Sequence, residues 1–85
     1  MEIVFTEIAR KDIDFWKKSG NKQIQKKIQE LLADIILHPE TGLGKPERLK
    51  FGYSGYWSRR INDEHRIMYE ILKDKVRIHS LKGHY

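Results

Sequence analysis

The chain has 85 residues, a net charge of +5 and no cysteine. Hydrophobic residues make up 39% of it and charged residues 34%, which suits one small folded domain spanning residues 1–85 and leaves no room for a second. The lack of cysteine excludes disulfides, thiolate catalysis and cysteine-based metal sites. We find no apolar segment typical of a signal peptide or a membrane span, so the cytoplasm is the default compartment.

The chain begins with a predicted strand and a predicted helix. Residues 2–5 are β-branched and aromatic, which is typical of a strand. Thr6 is a plausible N-cap for the helix that follows. Ala9, Ile13 and Trp16 recur at helical spacing, so residues 7–18 are predicted to form a helix with one apolar face.

A second helix follows and carries the clearest periodic pattern in the chain. Asn21 can cap its start, and His38-Pro39 ends it because proline disfavours helical geometry in the residue before it. Its apolar stripe consists of Ile24, Ile28, Leu31, Leu32, Ile35 and Ile36. Two adjacent helices with one apolar face each predict a helical hairpin packed on a sheet.

The remainder of the chain reads as strands. A loop over residues 39–45 precedes them, and the predicted strands cover residues 47–50, 56–61, 65–72 and 76–81. The last three are joined by turns of hairpin length, which predicts an antiparallel meander. The predicted fold is therefore α+β, in the order β-α-α-β-β-β-β, with the two-helix hairpin packed on a mainly antiparallel sheet.

Aromatic residues are interspersed among basic residues in the segment from residue 45 to residue 66. The basic residues are Lys45, Arg48, Lys50, Arg59, Arg60 and Arg66, and the aromatic residues are Phe51, Tyr53, Tyr56 and Trp57. Basic side chains neutralise phosphates and aromatic faces stack unpaired bases, so the segment suits single-stranded RNA. A solvated sheet face with Trp57 in the core explains the same pattern, and the pattern taken alone slightly favours that explanation.

Three residues together could cleave RNA. Glu47 is a carboxylate among basic neighbours and can accept a proton, Arg66 can bind a phosphate, and His84 can donate a proton. Each has an ordinary explanation as well: an ion pair of Glu47 with those neighbours, an ion pair of Arg66 with Glu64 or Glu70, and a frayed chain end for His84.

The chemistry that this set supports is metal-free cleavage. A base removes the proton of a ribose 2′-OH, the oxygen attacks the adjacent phosphorus, cations stabilise the charge, and an acid protonates the departing 5′ oxygen. The products would be a 2′,3′-cyclic phosphate and a 5′-OH end. The four histidines show no metal-ligand spacing, so we predict neither a metal nor a cofactor.

These motifs closely resemble the YoeB/Txe family of bacterial toxins, which belongs to the RelE/ParE superfamily. The resemblance extends over the whole chain and rests on G-x-G-K-P-E, S-G-x-W-S-R-R-I, E-H-R-x-x-Y and a terminal H-Y. It implies a RelE-like fold and a ribosome-dependent endonuclease that cuts mRNA in the A site of the 70S ribosome. It also implies a homodimer, silencing by a cognate YefM/Phd-type antitoxin, and binding to operator DNA only as the toxin–antitoxin complex.

The resemblance assigns roles to particular residues. The implied catalytic residues are Glu47 as general base, Arg66 as phosphate-stabilising residue, His84 as general acid and Tyr85 as the terminal tyrosine of the site. The implied substrate or RNA-binding residues are Lys45, Lys50, Arg59, Arg60, Glu64 and Trp57. Arg48, Tyr53 and Lys82 depart from the residues that are common in the family, and these departures bear on ribosome contacts and codon preference.

Two other functions remain open at this point. A non-enzymatic toxin of the same fold, like the gyrase-poisoning ParE branch, would need no Glu47/His84 pair. A ribosome-binding module could block the A site without cutting, and it would present the same basic and aromatic surface.

Overall fold

A computed structural model describes residues 1–83, so the predicted site residues His84 and Tyr85 lie outside the described part of the chain. The helices and strands, in chain order, are β1 (Glu2–Phe5), α1 (Glu7–Ser19), α2 (Lys22–Leu37), β2 (Glu47–Arg48), β3 (Trp57–Arg60), β4 (Arg66–Ile71) and β5 (Lys75–Ser80), with a 3-10 turn at Phe51–Tyr53. This is the predicted α+β order.

The strands form one sheet in the order β1-β5-β4-β3-β2. Strands β3, β4 and β5 pair antiparallel in sequence, which confirms the predicted meander, and β2 pairs antiparallel with β3. Among the strand pairs within residues 1–83, β1 and β5 form the only parallel pair. The chain between β1 and β5 includes both helices and the strands β2 to β4, which is far longer than the minimum that a parallel connection needs.

Side chains at the helix starts act as predicted. The hydroxyl oxygen of Thr6 accepts the N–H of Ala9 at 3.1 Å, and the side-chain oxygen of Asn21 accepts the N–H of Ile24 at 3.0 Å. Each bond satisfies a backbone donor that has no partner within its helix. Neither helix of the described chain is both long and apolar enough to cross a membrane.

The core lies between the helices and one face of the sheet. The helices contribute Ala9, Trp16, Ile24, Ile28, Leu31 and Ile35, and the central strands contribute Ile67, Tyr69, Val76 and Ile78. The predicted α2 stripe is too wide by one residue, since Ile36 is 40% exposed while Ile35 is fully buried. Successive helical residues are rotated by about 100°, so Ile36 points away from the sheet when Ile35 points to it.

The strand predicted over residues 47–50 is shorter than expected. Only Glu47 and Arg48 pair with β3, opposite Ser58 and Trp57. The chain then turns at Phe51, whose backbone is left-handed with φ of 58°. The other predicted strands begin or end within one or two residues of the observed ones.

Candidate active site

Glu47 and Arg66 face each other across strand β3. Residues of a strand alternate between faces, and because Ile67 and Tyr69 lie in the core, Arg66 and Met68 lie on the face opposite the helices. Met68 is paired with Ser58, and Ser58 with Glu47, so these residues share that face. We call it the open face.

The two side chains are in electrostatic contact. Arg66 Nη1 lies 3.9 Å from Glu47 Oε1 and donates to Ser58 Oγ at 3.3 Å. Glu47 therefore faces Arg66, and the alternative partner Glu70 pairs with Arg77. The Glu47 side chain is 58% exposed and that of Arg66 is 21% exposed, so the pair contributes little to stability and both groups can reach a solute.

Backbone hydrogen bonds bring the end of the chain to Arg66. The N–H of Arg66 donates to the carbonyl oxygen of Gly83 at 2.8 Å, and the N–H of Gly83 donates to Nδ1 of His65 at 2.9 Å. Just before this point the indole N–H of Trp16 donates to the carbonyl oxygen of Leu81 at 2.9 Å. The chain is thus held beside β4 up to Gly83, the residue that precedes the predicted acid in the sequence.

A groove adjoins Gly83 and lies between the open face and the first half of α1, which contributes Ile8 and Asp12 to its lining. It has a volume of about 530 Å³, and the residues lining it include Tyr53, His65, Met68, His79 and Gly83. Met68 is almost fully buried beneath it. The groove offers apolar and aromatic contacts beside Gly83, and neither Glu47 nor Arg66 lines it.

Four of the predicted RNA-binding residues are solvent-exposed: Lys45, Lys50, Arg60 and Glu64. Arg60 is paired with Arg66 in the sheet, which places it on the open face. Glu64 lies in the turn before β4, where the side chain of Asn62 accepts its backbone N–H at 2.9 Å. The structure therefore leaves these four side chains accessible, and the three cations among them suit contact with a polyanion.

Trp57 and Arg59 lie elsewhere. Trp57 packs against the core, and the Arg48 guanidinium lies 5.9 Å from its ring centre, as in the ordinary explanation of the sequence pattern. Arg59 is fully buried, so its prediction as an RNA-binding residue is wrong. It is paired with Ile67 and therefore points to the helix side of the sheet. Successive residues of a strand point to opposite faces, so an exposed Arg60 implies that Arg59 points to the core, and this alternation could have indicated the burial of Arg59.

The buried Arg59 is fully hydrogen-bonded. Its guanidinium donates to the side chains of Asp34 and Tyr69, at 2.6 Å and 3.0 Å, and to the carbonyl oxygens of three loop residues, His38, Thr41 and Leu43. The hydrogen bond from Arg59, aided by the Leu43 N–H, lowers the pKa of Asp34. Burial raises the pKa of Tyr69.

Within residues 1–83, no group of three or more His, Asp or Glu side chains is placed to hold a metal ion. The described site instead combines an accessible carboxylate with a guanidinium and further cations. Such a set can accept a proton and stabilise negative charge on a phosphate.

Fold and site together define a small α+β protein that presents a carboxylate–guanidinium pair on the open face of its sheet. Residues 5–85 match the model of the YoeB-like toxin of bacterial type II toxin–antitoxin systems, and the chain belongs to this family. A curated relative, the toxin YoeB of Synechocystis, is 45% identical over 85 residues, covering 100% of this chain and 98% of the relative.

Solved structures agree with this membership. The YoeB/ParE toxin from Agrobacterium tumefaciens superposes with a TM-score of 0.94 at 36% identity, over 100% of both chains. A YoeB dimer from Staphylococcus aureus gives a TM-score of 0.89 at 41% identity, and a heterotetrameric YoeB–YefM complex from that organism gives 0.88 at 41%. Each covers 100% of this chain and 98% of the solved one. The predicted family and fold are thereby confirmed.

Proposed function

We propose that this protein is a ribosome-dependent endoribonuclease that cuts mRNA codons in the ribosomal A site and so inhibits translation. The observation that carries the proposal is the 3.9 Å approach of Glu47 and Arg66 on the open face. A base and a phosphate-binding cation must lie this close to act on one phosphodiester, since the 2′ oxygen and the phosphorus it attacks belong to neighbouring groups.

The proposed reaction needs no metal. Glu47 removes the proton of the ribose 2′-OH, and the 2′ oxygen attacks the adjacent phosphorus. Arg66 stabilises the charge on the phosphoryl oxygens, and the bond to the 5′ oxygen of the next nucleotide breaks. His84, to which the resemblance assigns the role of general acid, protonates that oxygen, and Tyr85 completes the site. The products are a 2′,3′-cyclic phosphate and a 5′-OH end.

The ribosome supplies what the open site lacks. Glu47 keeps 58% of its side-chain surface exposed, so the described site surrounds little of a substrate by itself. In-line attack requires the reacting atoms to be held in one geometry, and most of that entropic cost is removed when another body holds the message. The exposed Lys45, Lys50 and Arg60 suit contact with the phosphates of mRNA and ribosomal RNA.

The partners follow from the family. We propose a cognate YefM/Phd-type antitoxin, because the Staphylococcus aureus relative has been solved as a complex with YefM. We propose a homodimer, because that relative has also been solved as a dimer. Operator DNA would be bound only through the toxin–antitoxin complex. The site of action would be the cytoplasm, where the translating ribosomes are.

The test is to map mRNA ends in a translation extract given the purified protein, with intact ribosomes and without them. Cuts inside A-site codons that bear cyclic-phosphate ends and require ribosomes are the expected result. Stalled translation with intact message would contradict cleavage and indicate a ribosome-binding inhibitor. Unaffected translation together with DNA damage would indicate a gyrase poison of the ParE kind.

A further inference from the structure

We propose that Arg59 is a positioning residue: without touching RNA, it fixes the 38–45 loop on the sheet and thereby sets Glu47 opposite Arg66. The activity part of this inference rests on the proposed function. It replaces the RNA-binding role that the sequence pattern suggested for Arg59. The 38–45 loop denotes residues 38–45, which follow α2 and are separated from β2 only by Pro46.

Arg59 holds the loop by its backbone. The guanidinium donates to the carbonyl oxygens of His38, Thr41 and Leu43, at 2.9 Å for Thr41 and 3.1 Å for Leu43. These bonds do not depend on the loop side chains. Because the Arg59 guanidinium is fully buried, it cannot exchange these bonds for bonds to solvent unless the loop opens.

Two further side chains fix Arg59 itself. Asp34, near the end of α2, accepts from Arg59 at 2.6 Å and from the backbone N–H of Leu43 at 3.0 Å. The Tyr69 hydroxyl accepts from Arg59 at 3.0 Å and donates to the carbonyl oxygen of Pro39 at 2.7 Å. The loop is thus attached at both ends to one cluster, formed by the buried Arg59 and Tyr69 and the partly exposed Asp34, which we call the Arg59 cluster.

Gly44 connects this cluster to the site. Its carbonyl oxygen accepts the N–H of Arg60 at 2.7 Å, which joins the end of the loop to β3. A Cβ on Gly44 would lie 2.8 Å from Leu31 Cδ2, 3.0 Å from the carbonyl oxygen of Arg60 and 3.2 Å from Arg59 Cβ. The loop therefore lies against the backbone of β3 where only glycine fits.

Glu47 lies three residues after Gly44, on a strand that is too short to hold its position by its own pairing. Strand β2 has two residues and lies at the edge of the sheet, paired only with β3. So short a ladder determines the position of its side chains weakly. Beyond Glu47 the chain is tied to the segment before β3, because the N–H of Leu49 donates to the carbonyl oxygen of Tyr56 at 2.9 Å. Before Glu47 the loop, which the Arg59 cluster holds, determines where the chain enters β2, and this entry point helps to set the distance from Glu47 to Arg66.

The test compares two glycines with nearly the same left-handed φ. Gly44 and Gly20 have φ of 77° and 75°, which disfavours alanine at both positions, but a Cβ on Gly20 meets nothing within 4 Å. Gly44→Ala should lower the single-turnover cleavage rate on programmed ribosomes by about 100-fold, because a small misplacement of a catalytic group has that effect. The half-saturating ribosome concentration should stay within about twofold of wild type. Gly20→Ala should keep the wild-type rate.

Arg59→Lys is the second variant, since lysine keeps the charge beside Asp34 but cannot reach all three carbonyl oxygens. It should show the same loss of rate without loss of ribosome affinity. All rates are taken well below the melting temperature of each variant. Rates equal to wild type in folded Gly44→Ala and Arg59→Lys would overturn the proposal, as would equal losses in Gly44→Ala and Gly20→Ala.

A readout without RNA separates this inference from the proposed function. In ¹H–¹⁵N spectra of the protein alone, the Arg66 Nε–H signal should move in Glu47→Gln, Gly44→Ala and Arg59→Lys, and stay in place in Gly20→Ala. If wild type cuts no mRNA yet these shifts occur, the proposed function fails and the positioning role stands. If wild type cuts and the signal moves only in Glu47→Gln, the positioning role fails alone.

Discussion

The backbone N–H of Arg66 donates to the carbonyl oxygen of Gly83 at 2.8 Å, so Gly83 lies beside the strand that carries the guanidinium proposed to bind phosphate. Chain ends usually fray unless they are tied down. Gly83 is held by two hydrogen bonds, because its N–H also donates to Nδ1 of His65 at 2.9 Å. These bonds hold Gly83, which precedes the proposed general acid in the sequence, beside the proposed site.

Deletion of His84 and Tyr85 is expected to abolish cleavage, because the proposed general acid is lost. The melting temperature should change little, since every core residue described here precedes Gly83. The measurements are mRNA end mapping, thermal unfolding and antitoxin affinity. Full cleavage by the truncated protein would contradict the role of the chain end, whereas loss of folding would point to a structural role instead.

Glu47→Gln is expected to lower the cleavage rate by about 10² to 10⁴-fold, the usual contribution of a general base. Stability should stay nearly constant, because the Glu47–Arg66 pair is exposed and spaced at 3.9 Å. Glu30→Gln, an exposed acid-to-amide change on α2, is the matched control and should cut normally. A Glu47→Gln variant as active as this control would remove Glu47 from the reaction.

Phe51→Asn separates stacking from folding. Phe51 is 93% exposed and has φ of 58°, a conformation that asparagine tolerates better than a bulky residue. The melting temperature should therefore stay the same or rise. If Phe51 stacks on an unpaired base, the ribosome concentration for half-maximal cleavage should rise by about tenfold, which corresponds to about 1.4 kcal/mol and lies within the range for stacking. An unchanged value would exclude stacking at Phe51.

Asp34→Asn tests the Arg59 cluster through stability and its pH dependence. The change weakens a charge-assisted bond to fully buried Arg59 and should lower the free energy of unfolding at pH 7 by roughly 2 to 4 kcal/mol. The measurement is denaturant unfolding as a function of pH.

The sign of the pH effect follows from the lowered pKa of Asp34. A carboxyl whose folded pKa lies below its ordinary value of 3.8 stabilises the fold above that value and loses this contribution as the pH falls through the folded pKa. The difference between wild type and Asp34→Asn should therefore be constant at neutral pH and shrink below about pH 4. A difference that grows in acid would contradict the lowered pKa.

Local patterns predicted most of the fold. The helical spacing of residues such as Ala9 and Trp16, and the alternation of Ile67 with Met68, reflect the periods of helix and strand, which the backbone fixes within a few residues. The cap residues Thr6 and Asn21 likewise act over a single turn. The motifs around Glu47 and Arg66 likewise predicted both as site residues, because a motif depends only on the identity and order of neighbouring residues.

What the sequence could not determine was which residues meet across the sheet. Adjacent arginines at 59 and 60 read alike in the chain, yet one lies buried against Asp34 and Tyr69 and the other is exposed beside Arg66. The sequence by itself determined the elements, the family motifs and the charge. Only the tertiary structure decided the 3.9 Å contact of Glu47 with Arg66, because their strands are brought together by the pairing of both with β3, and pairing of distant segments depends on how the whole core packs.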